Sequence, residues 1–193
     1  MNVYDFDNTI YDGESVFDFF LFCVKKQKRL ILYFPMLLKN LFRYKAGKLT
    51  IDGLYEEASK LTKEVIRNRE NADAYISEFW SINSHKLKKE FLDKLKSDDV
   101  IITASPVILI KAISDKLKTE NIIGSRIDME TGRMEFACFR QNKIIAFKES
   151  YPDAAIDEFY TDSMNDMPLA ELADKAYLIK KNKAPQLINV KKQ

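Results

Sequence analysis

Five short apolar runs limit what this chain can fold into: Asn2–Phe6, Val100–Ala104, Ile122–Ile127, Glu158–Thr161 and Ala176–Ile179. Each reads as a buried strand, and longer stretches with apolar residues at helical spacing lie between them. Strands that alternate with helices imply a parallel sheet covered on both faces. The expected fold class is therefore α/β, with a Rossmann-like core.

The alternation breaks between about Glu14 and Leu95. Phe17, Phe20, Leu21 and Val24 recur at helical spacing there, as do Leu54, Ala58 and Leu61, and then Ala72, Tyr75, Ile76, Phe79 and Trp80. Gly47 and Gly53 punctuate the stretch. This pattern predicts an all-helical cap inserted after the first strand. Residues 1–13 and 96–193 would form the core and residues 14–95 the cap, hinged near Asp12-Gly13 and Lys96-Ser97. Ile127 to Phe136 reads as a hairpin with its turn near Thr131-Gly132. The basic tail from Lys180 to Gln193 reads as a loose end or a short edge segment.

The formal net charge of +2 gives no argument for nucleic acid as a partner. Cys23 and Cys138 have the spacing of neither a zinc site nor a redox pair, so they read as free thiols in a reducing cytoplasm. Met1 to Phe6, broken by Asp5, reads as neither a charged leader nor a hydrophobic one. The most apolar stretch, Val16 to Tyr44, is cut by Lys25-Lys26-Gln27-Lys28-Arg29 and again by Lys39 and Arg43. No window reaches the ~20 apolar residues that span a bilayer. A cytoplasmic location is the expectation. The basic run is most simply a solvated face. Flanked by Phe19, Phe20, Phe22, Ile31, Tyr33 and Phe34, it also leaves room for contact with a membrane surface.

Three strand ends carry chemistry. At the first, Asp5-Phe6-Asp7-Asn8-Thr9, two acids stand where a parallel sheet opens its ligand crevice. They suit a divalent cation with oxygen ligands, or a division of work between nucleophile and proton carrier. Turn residues with a cap at Thr9 are the plainer reading. At the second, Thr103-Ala104-Ser105-Pro106, a hydroxyl stands before a helix that Pro106 is expected to open, which makes an anion site. Ser105 also reads as an ordinary N-cap. At the third, Asp162-Ser163-Met164-Asn165-Asp166 places two acids in one tight loop, with an acidic helix start as the alternative. His85, the only histidine, has no nucleophile pattern beside it and reads as a surface residue.

Taken together, this order resembles the haloacid dehalogenase superfamily over nearly the whole chain. Its first motif, DxDx[TV], matches Asp5, Asp7 and Thr9. Its second, a strand ending in Ser or Thr, matches Thr103. Its fourth, DSxxD, matches Asp162, Ser163 and Asp166. The second acid of the first motif implies phosphoryl transfer and not dehalogenation. The helical insertion and the Thr103-Ala104-Ser105-Pro106 run resemble the phosphoserine-phosphatase-like branch. The family's third motif is a lysine. Lys143 and Lys148 are the candidates, and the stretch from Cys138 to Lys143 is similar to the one that carries it. Asn8 stands where the family often has glycine, and asparagine tolerates unusual backbone angles.

The resemblance implies a Mg²⁺-dependent phosphatase acting on a small phosphorylated substrate. Asp5 would attack phosphorus and Asp7 manage the proton. Thr103, Ala104, Ser105 and Lys143 would hold the phosphoryl group. Asp5, Asp7 and Asp162 would bind the metal, with Asp166 behind them. A phosphotransferase or mutase on the same scaffold, a non-catalytic phospho-ligand-binding protein, and a membrane-surface protein acting on a phospholipid headgroup, suggested only by the apolar cap, are the alternatives. The cap would close over the site and choose the substrate.

Overall fold

The computed structural model describes residues 1–66 and 69–190. The side chain of Leu54 and tail residues 191–193 lie outside the described part. Among the described residues, seven strands form one sheet: β1 (Val3–Tyr4), β2 (Val100–Pro106), β3 (Ile122–Ile127), β4 (Met134–Phe136), β5 (Ile156–Thr161), β6 (Ala173–Leu178) and β7 (Gln186–Val190). Their order is β4-β3-β2-β1-β5-β6-β7. The five inner strands run parallel, and β4 and β7 close the edges antiparallel. The sheet is thus mixed, with a parallel centre. Strand β1 sits in the middle, where Tyr4 pairs with Ile101 on one side and Tyr160 on the other.

Helices α1 (Ser15–Lys26), α2 (Phe34–Lys45), α3 (Ile51–Ile66), α4 (Arg69–Asn83) and α5 (Lys89–Lys94) lie between β1 and β2. The later helices are α6 (Val107–Lys111), α7 (Ser114–Leu117), α8 (Gln141–Ser150) and α9 (Met167–Ala170). No described helix is long and apolar enough to cross a membrane.

The strand boundaries differ from those read in the sequence, for reasons that lie in the backbone. The ladder of β1 ends early because the chain turns at Phe6, whose carbonyl accepts the N–H groups of Thr9, Ile10 and Tyr11. Strands β5 and β6 begin earlier than their apolar runs, since Asp157 and Lys175 pair through main-chain groups whatever their side chains. A register shift between Ile102 and Pro106 keeps Pro106 in β2, opposite Ser125. Pro106 therefore precedes α6 and does not form its first residue, and the Ser105 side chain caps no helix. The hairpin turns at Gly132, whose φ of +73° suits glycine. Within the tail, Gln186–Val190 pair with β6 as the edge strand β7.

One apolar cluster is continuous from the inserted helices to the sheet. Cys23, Ile76, Phe79 and Trp80 belong to it together with Tyr4, Phe6, Ile101 and Ile110. The Trp80 indole N–H donates to the carbonyl of Leu109 at 2.7 Å. Phe91 of α5 packs edge-on against Tyr4 and Tyr160, so this helix lies directly on the sheet. His85 is exposed, and Cys23 and Cys138 are buried free thiols.

Candidate active site

The parallel strands all end on one side of the sheet, and the turn after β1 brings Asp5 and Asp7 there. Asp5 still follows the ladder, its N–H donating to the carbonyl of Tyr160 at 2.8 Å. Asn8 then takes φ +58°, which reverses the chain. Lys88 donates to the Asn8 carbonyl, and the Asn8 amide donates to Glu14 at 2.7 Å. Gly13 completes the loop at φ +147°; a Cβ there would stand 2.9 Å from the Asp18 carboxylate. The loop hands the chain to α1 in a fixed position.

Lys143, in the first turn of α8, joins two of the three motifs. Its ammonium donates to Asp5 Oδ1 and to Asp166 Oδ2, both at 2.7 Å. The Thr161 hydroxyl donates to the same Asp166 oxygen at 2.8 Å. The side chains of Lys143, Asp5 and Asp166 are only 3%, 8% and 4% exposed, so solvent screens these pairs little. Burial pulls the Lys143 ammonium down, but Asp5 and Asp166 outweigh it and hold the lysine above its ordinary value. For Asp5, burial prevails over Lys143 and pushes the carboxyl up to about 8, with Asp166 and Asp7 reinforcing it. Lys148, on the same helix, is exposed.

Asp7 has a separate set of partners. Its Oδ2 accepts the Ser105 hydroxyl at 2.6 Å, and its Oδ1 accepts the backbone N–H of Ser15 at 2.7 Å. The two serine hydroxyls are 2.9 Å apart. Burial raises the proton affinity of Asp7, and the bonds from Ser105 and Ser15 oppose the rise. Ser15 and Glu14 were not among the residues singled out in the sequence. They start α1 eight and seven positions after Asp7, and only the Gly13 turn hinted that they double back.

A cavity of about 170 Å³ opens among Asp5, Asp7, Ala104, Phe139, Lys143 and Asp162. Glu14, Ser163 and Asp166 complete its wall. Two residues assigned to phosphate from the sequence stand outside that wall. Thr103 is fully buried, and its hydroxyl accepts the Ser105 N–H at 3.0 Å. Ser105 is committed to Asp7. Asp162 is partly exposed. Burial lifts its carboxyl, Asn8 pulls it back, and Asp166 adds to the rise.

The donor chemistry suits a hard divalent cation. Five carboxyl groups line the cavity against one ammonium, and all available donors are oxygens. Among the described residues, no three His, Cys, Asp or Glu side chains are gathered tightly enough to hold a metal by themselves. With both Asp7 oxygens engaged by serines, the Asp5 and Asp162 carboxylates and the main chain are left as candidate ligands.

The chain belongs to the haloacid dehalogenase-like hydrolases, whose family model matches residues 3–171. Among solved structures it is similar to a protein of unknown function from Bordetella pertussis Tohama I. That match has 20% identity and a TM-score of 0.70, over 88% of this chain and 84% of the other. A phosphoserine phosphohydrolase-like protein from Francisella tularensis subsp. tularensis SCHU S4 is 16% identical, with a TM-score of 0.59 over 91% of this chain and 86% of the other. A substrate-bound phosphoserine phosphatase is 15% identical, with a TM-score of 0.50 over 90% of this chain and 82% of the other. At these identities the likeness is one of fold. No curated protein matches the chain significantly.

Proposed function

We propose that this hydrolase is a Mg²⁺-dependent phosphatase of the phosphoserine-phosphatase-like branch, cleaving a phosphomonoester through an aspartyl-phosphate on Asp5. The observation that carries the reading is the placement of Lys143. One buried ammonium touches the candidate nucleophile Asp5 and the motif acid Asp166, in the same cavity as an Asp7 with raised proton affinity. A structural ion pair needs one carboxylate, whereas two carboxylates and a neighbouring acid around one ammonium leave excess negative charge, an arrangement that suits a bound divalent cation offsetting it together with a phosphoryl group.

The residues divide the work as follows. An oxygen of Asp5 attacks phosphorus while the bond from phosphorus to the ester oxygen breaks. Asp7 donates its proton to the departing alkoxide, and burial favours the protonated form that this step requires. A water then attacks the aspartyl-phosphate, Asp7 takes its proton, and Asp5 is released with inorganic phosphate. Lys143 offsets charge on the phosphoryl oxygens, and Asp166 and Thr161 hold it in place. Thr103 and Ser105 act one step removed: Thr103 braces the irregular end of β2, and Ser105 orients Asp7. Asp5, the Asp7 carbonyl and Asp162 would hold Mg²⁺, which supplies charge neutralisation at the transferring phosphoryl group. Residues 14–95 act as the cap that admits and selects the ester.

Hydrolysis of a small aryl phosphate tests this reading. Turnover is expected with Mg²⁺ and is expected to vanish in excess chelator and in Asp5→Asn, with the fold retained by circular dichroism. Equal turnover in chelator, or a near wild-type rate for Asp5→Asn, refutes it. Added acceptor alcohols that accumulate as new phosphate esters would assign a phosphotransferase instead.

A further inference from the structure

The alcohol side of the substrate can be read from what adjoins the catalytic cavity. A second cleft, of about 270 Å³, lies between the inserted helices and the ends of β2, β3 and β4. Phe20 of α1, Leu61 of α3 and Ile76 of α4 face Ile127 and Met134 across it. No charged residue lines it among the described residues, and Tyr55 and Thr62 contribute its only hydroxyls. Ala104 is a wall both of this cleft and of the cavity that holds Asp5 and Lys143. A phosphate seated against Asp5 therefore has the cleft beside it, on the far side of Ala104. A polar alcohol with its own amino or carboxylate group would lose hydration there without finding an ionic partner. An apolar chain loses nothing and gains burial.

The neighbouring part of the insertion, α1 with the segment that follows it through α2, points the same way on its outer surface. Phe17, Leu32 and Phe42 are 50%, 76% and 69% exposed. Between residues 15 and 50 the chain has eight lysines and arginines and a single acid, Asp18, whereas the whole molecule is nearly neutral. Exposed apolar side chains among basic ones complement a surface of anionic amphiphiles.

We propose that the natural ester is an amphiphile: a phosphomonoester whose alcohol bears an acyl or isoprenoid chain, with the phosphate in the Asp5 cavity and the chain in the apolar cleft. The proposal rests on the phosphatase reading above. Water supplies the hydroxyl to phosphorus and the proton to the leaving oxygen, so the products are the lipid alcohol and inorganic phosphate.

The test is a homologous series of ethyl, butyl, hexyl and octyl phosphate, each below its critical micelle concentration, assayed with Mg²⁺ beside O-phosphoserine. The expected kcat/KM rises with chain length, by up to about fourfold per methylene until the cleft is filled. O-phosphoserine is expected to do no better than ethyl phosphate. Ala58→Trp, which fills the cleft, should flatten the series and leave ethyl phosphate at the wild-type rate. Binding of the matching alkyl phosphonates to the unmodified protein, measured by calorimetry, should show the same chain-length trend and needs no variant to fold. A flat series with steady turnover of ethyl phosphate, or O-phosphoserine as the best substrate, overturns the amphiphile and leaves the phosphatase reading standing. Phosphonate binding that strengthens with chain length, without turnover of any ester, refutes the phosphatase reading and supports the apolar-tail site. A parallel assay on phosphatidate in anionic vesicles separates a bilayer-borne substrate from a dissolved one, and turnover in either form supports the proposal.

Discussion

Replacing Lys143 by methionine tests the centre of this molecule most directly. Methionine keeps most of the side-chain volume and removes the charge, so Asp5 and Asp166 are left buried with no cation between them. Breaking a buried ion pair by removing one partner costs about 3–5 kcal/mol when the remaining charge has no escape. Here an escape exists. Asp5 is already pushed up to about 8 by burial, against the pull of Lys143. Without the lysine that opposition is gone, and Asp5 holds its proton more firmly. Because wild-type Asp5 itself holds its proton to about pH 8, the loss of stability is expected to be smaller at about pH 5 and to approach about 3 kcal/mol only at about pH 9, where wild type has released that proton and the variant has not. For a chain of this length that is a fall in Tm of roughly 6 °C or more. Lys148→Met, at an exposed position on the same helix, should stay within about 0.5 kcal/mol at either pH. Denaturant melts of both variants at the two pH values measure the effect, and phosphatase rates on the same samples should show Lys143→Met several orders below Lys148→Met. A Lys143→Met protein as stable as wild type at both pH values would refute the reasoning about its buried partners. A more severe loss of activity from Lys148→Met would move the third motif.

Three further outcomes are expected. Asp7→Asn should lose most activity, with a loss that grows as the leaving alcohol becomes a poorer leaving group; a loss independent of leaving-group pKa would remove Asp7 from the acid role. The Thr9 hydroxyl is fully buried and has no hydrogen-bond partner among the described residues, so Thr9→Val should raise stability by about 1 kcal/mol, and a lowered Tm would contradict that. In the metal-free protein the folded Asp5 holds its proton to about pH 8 whereas the unfolded chain releases it near 3.8. The folded state thus binds more protons across that window, and this group's contribution makes stability fall as pH rises through it. A cation held by Asp5 replaces the proton, so the Tm gain from added Mg²⁺ should be larger at about pH 8 than at about pH 5; equal gains would separate Asp5 from the metal.

What the sequence by itself determined is local. The five apolar runs, the helical periods from Glu14 to Leu95 and the acids at strand ends are each written within a few neighbouring residues. Period and motif therefore disclosed the α/β class and the family without any knowledge of what touches what. Boundaries were less legible where pairing ignores side chains: Asp157 and Lys175 sit in strands because main-chain groups make the ladder. The tertiary structure alone decided the partners. Lys143 and Lys148 are five residues apart on one helix, and in the sequence only the likeness of the stretch from Cys138 to Lys143 to the family's lysine motif favours the first. Which of them meets Asp5 depends on the face that α8 turns to the sheet, across 138 positions of sequence. Thr103 and Ser105 both carry hydroxyls at one strand end, yet where the register shifts after Ile102 one hydroxyl accepts the Ser105 N–H within β2 and the other reaches Asp7, 98 positions away. The apolar cleft is the extreme case. Phe20, Leu61, Ile76 and Met134 read along the chain as ordinary core residues, and only packing shows that the space between them is left unfilled beside Ala104. Periodicity reports which face of an element is apolar, whereas a cavity depends on how completely several such faces fill the volume between them.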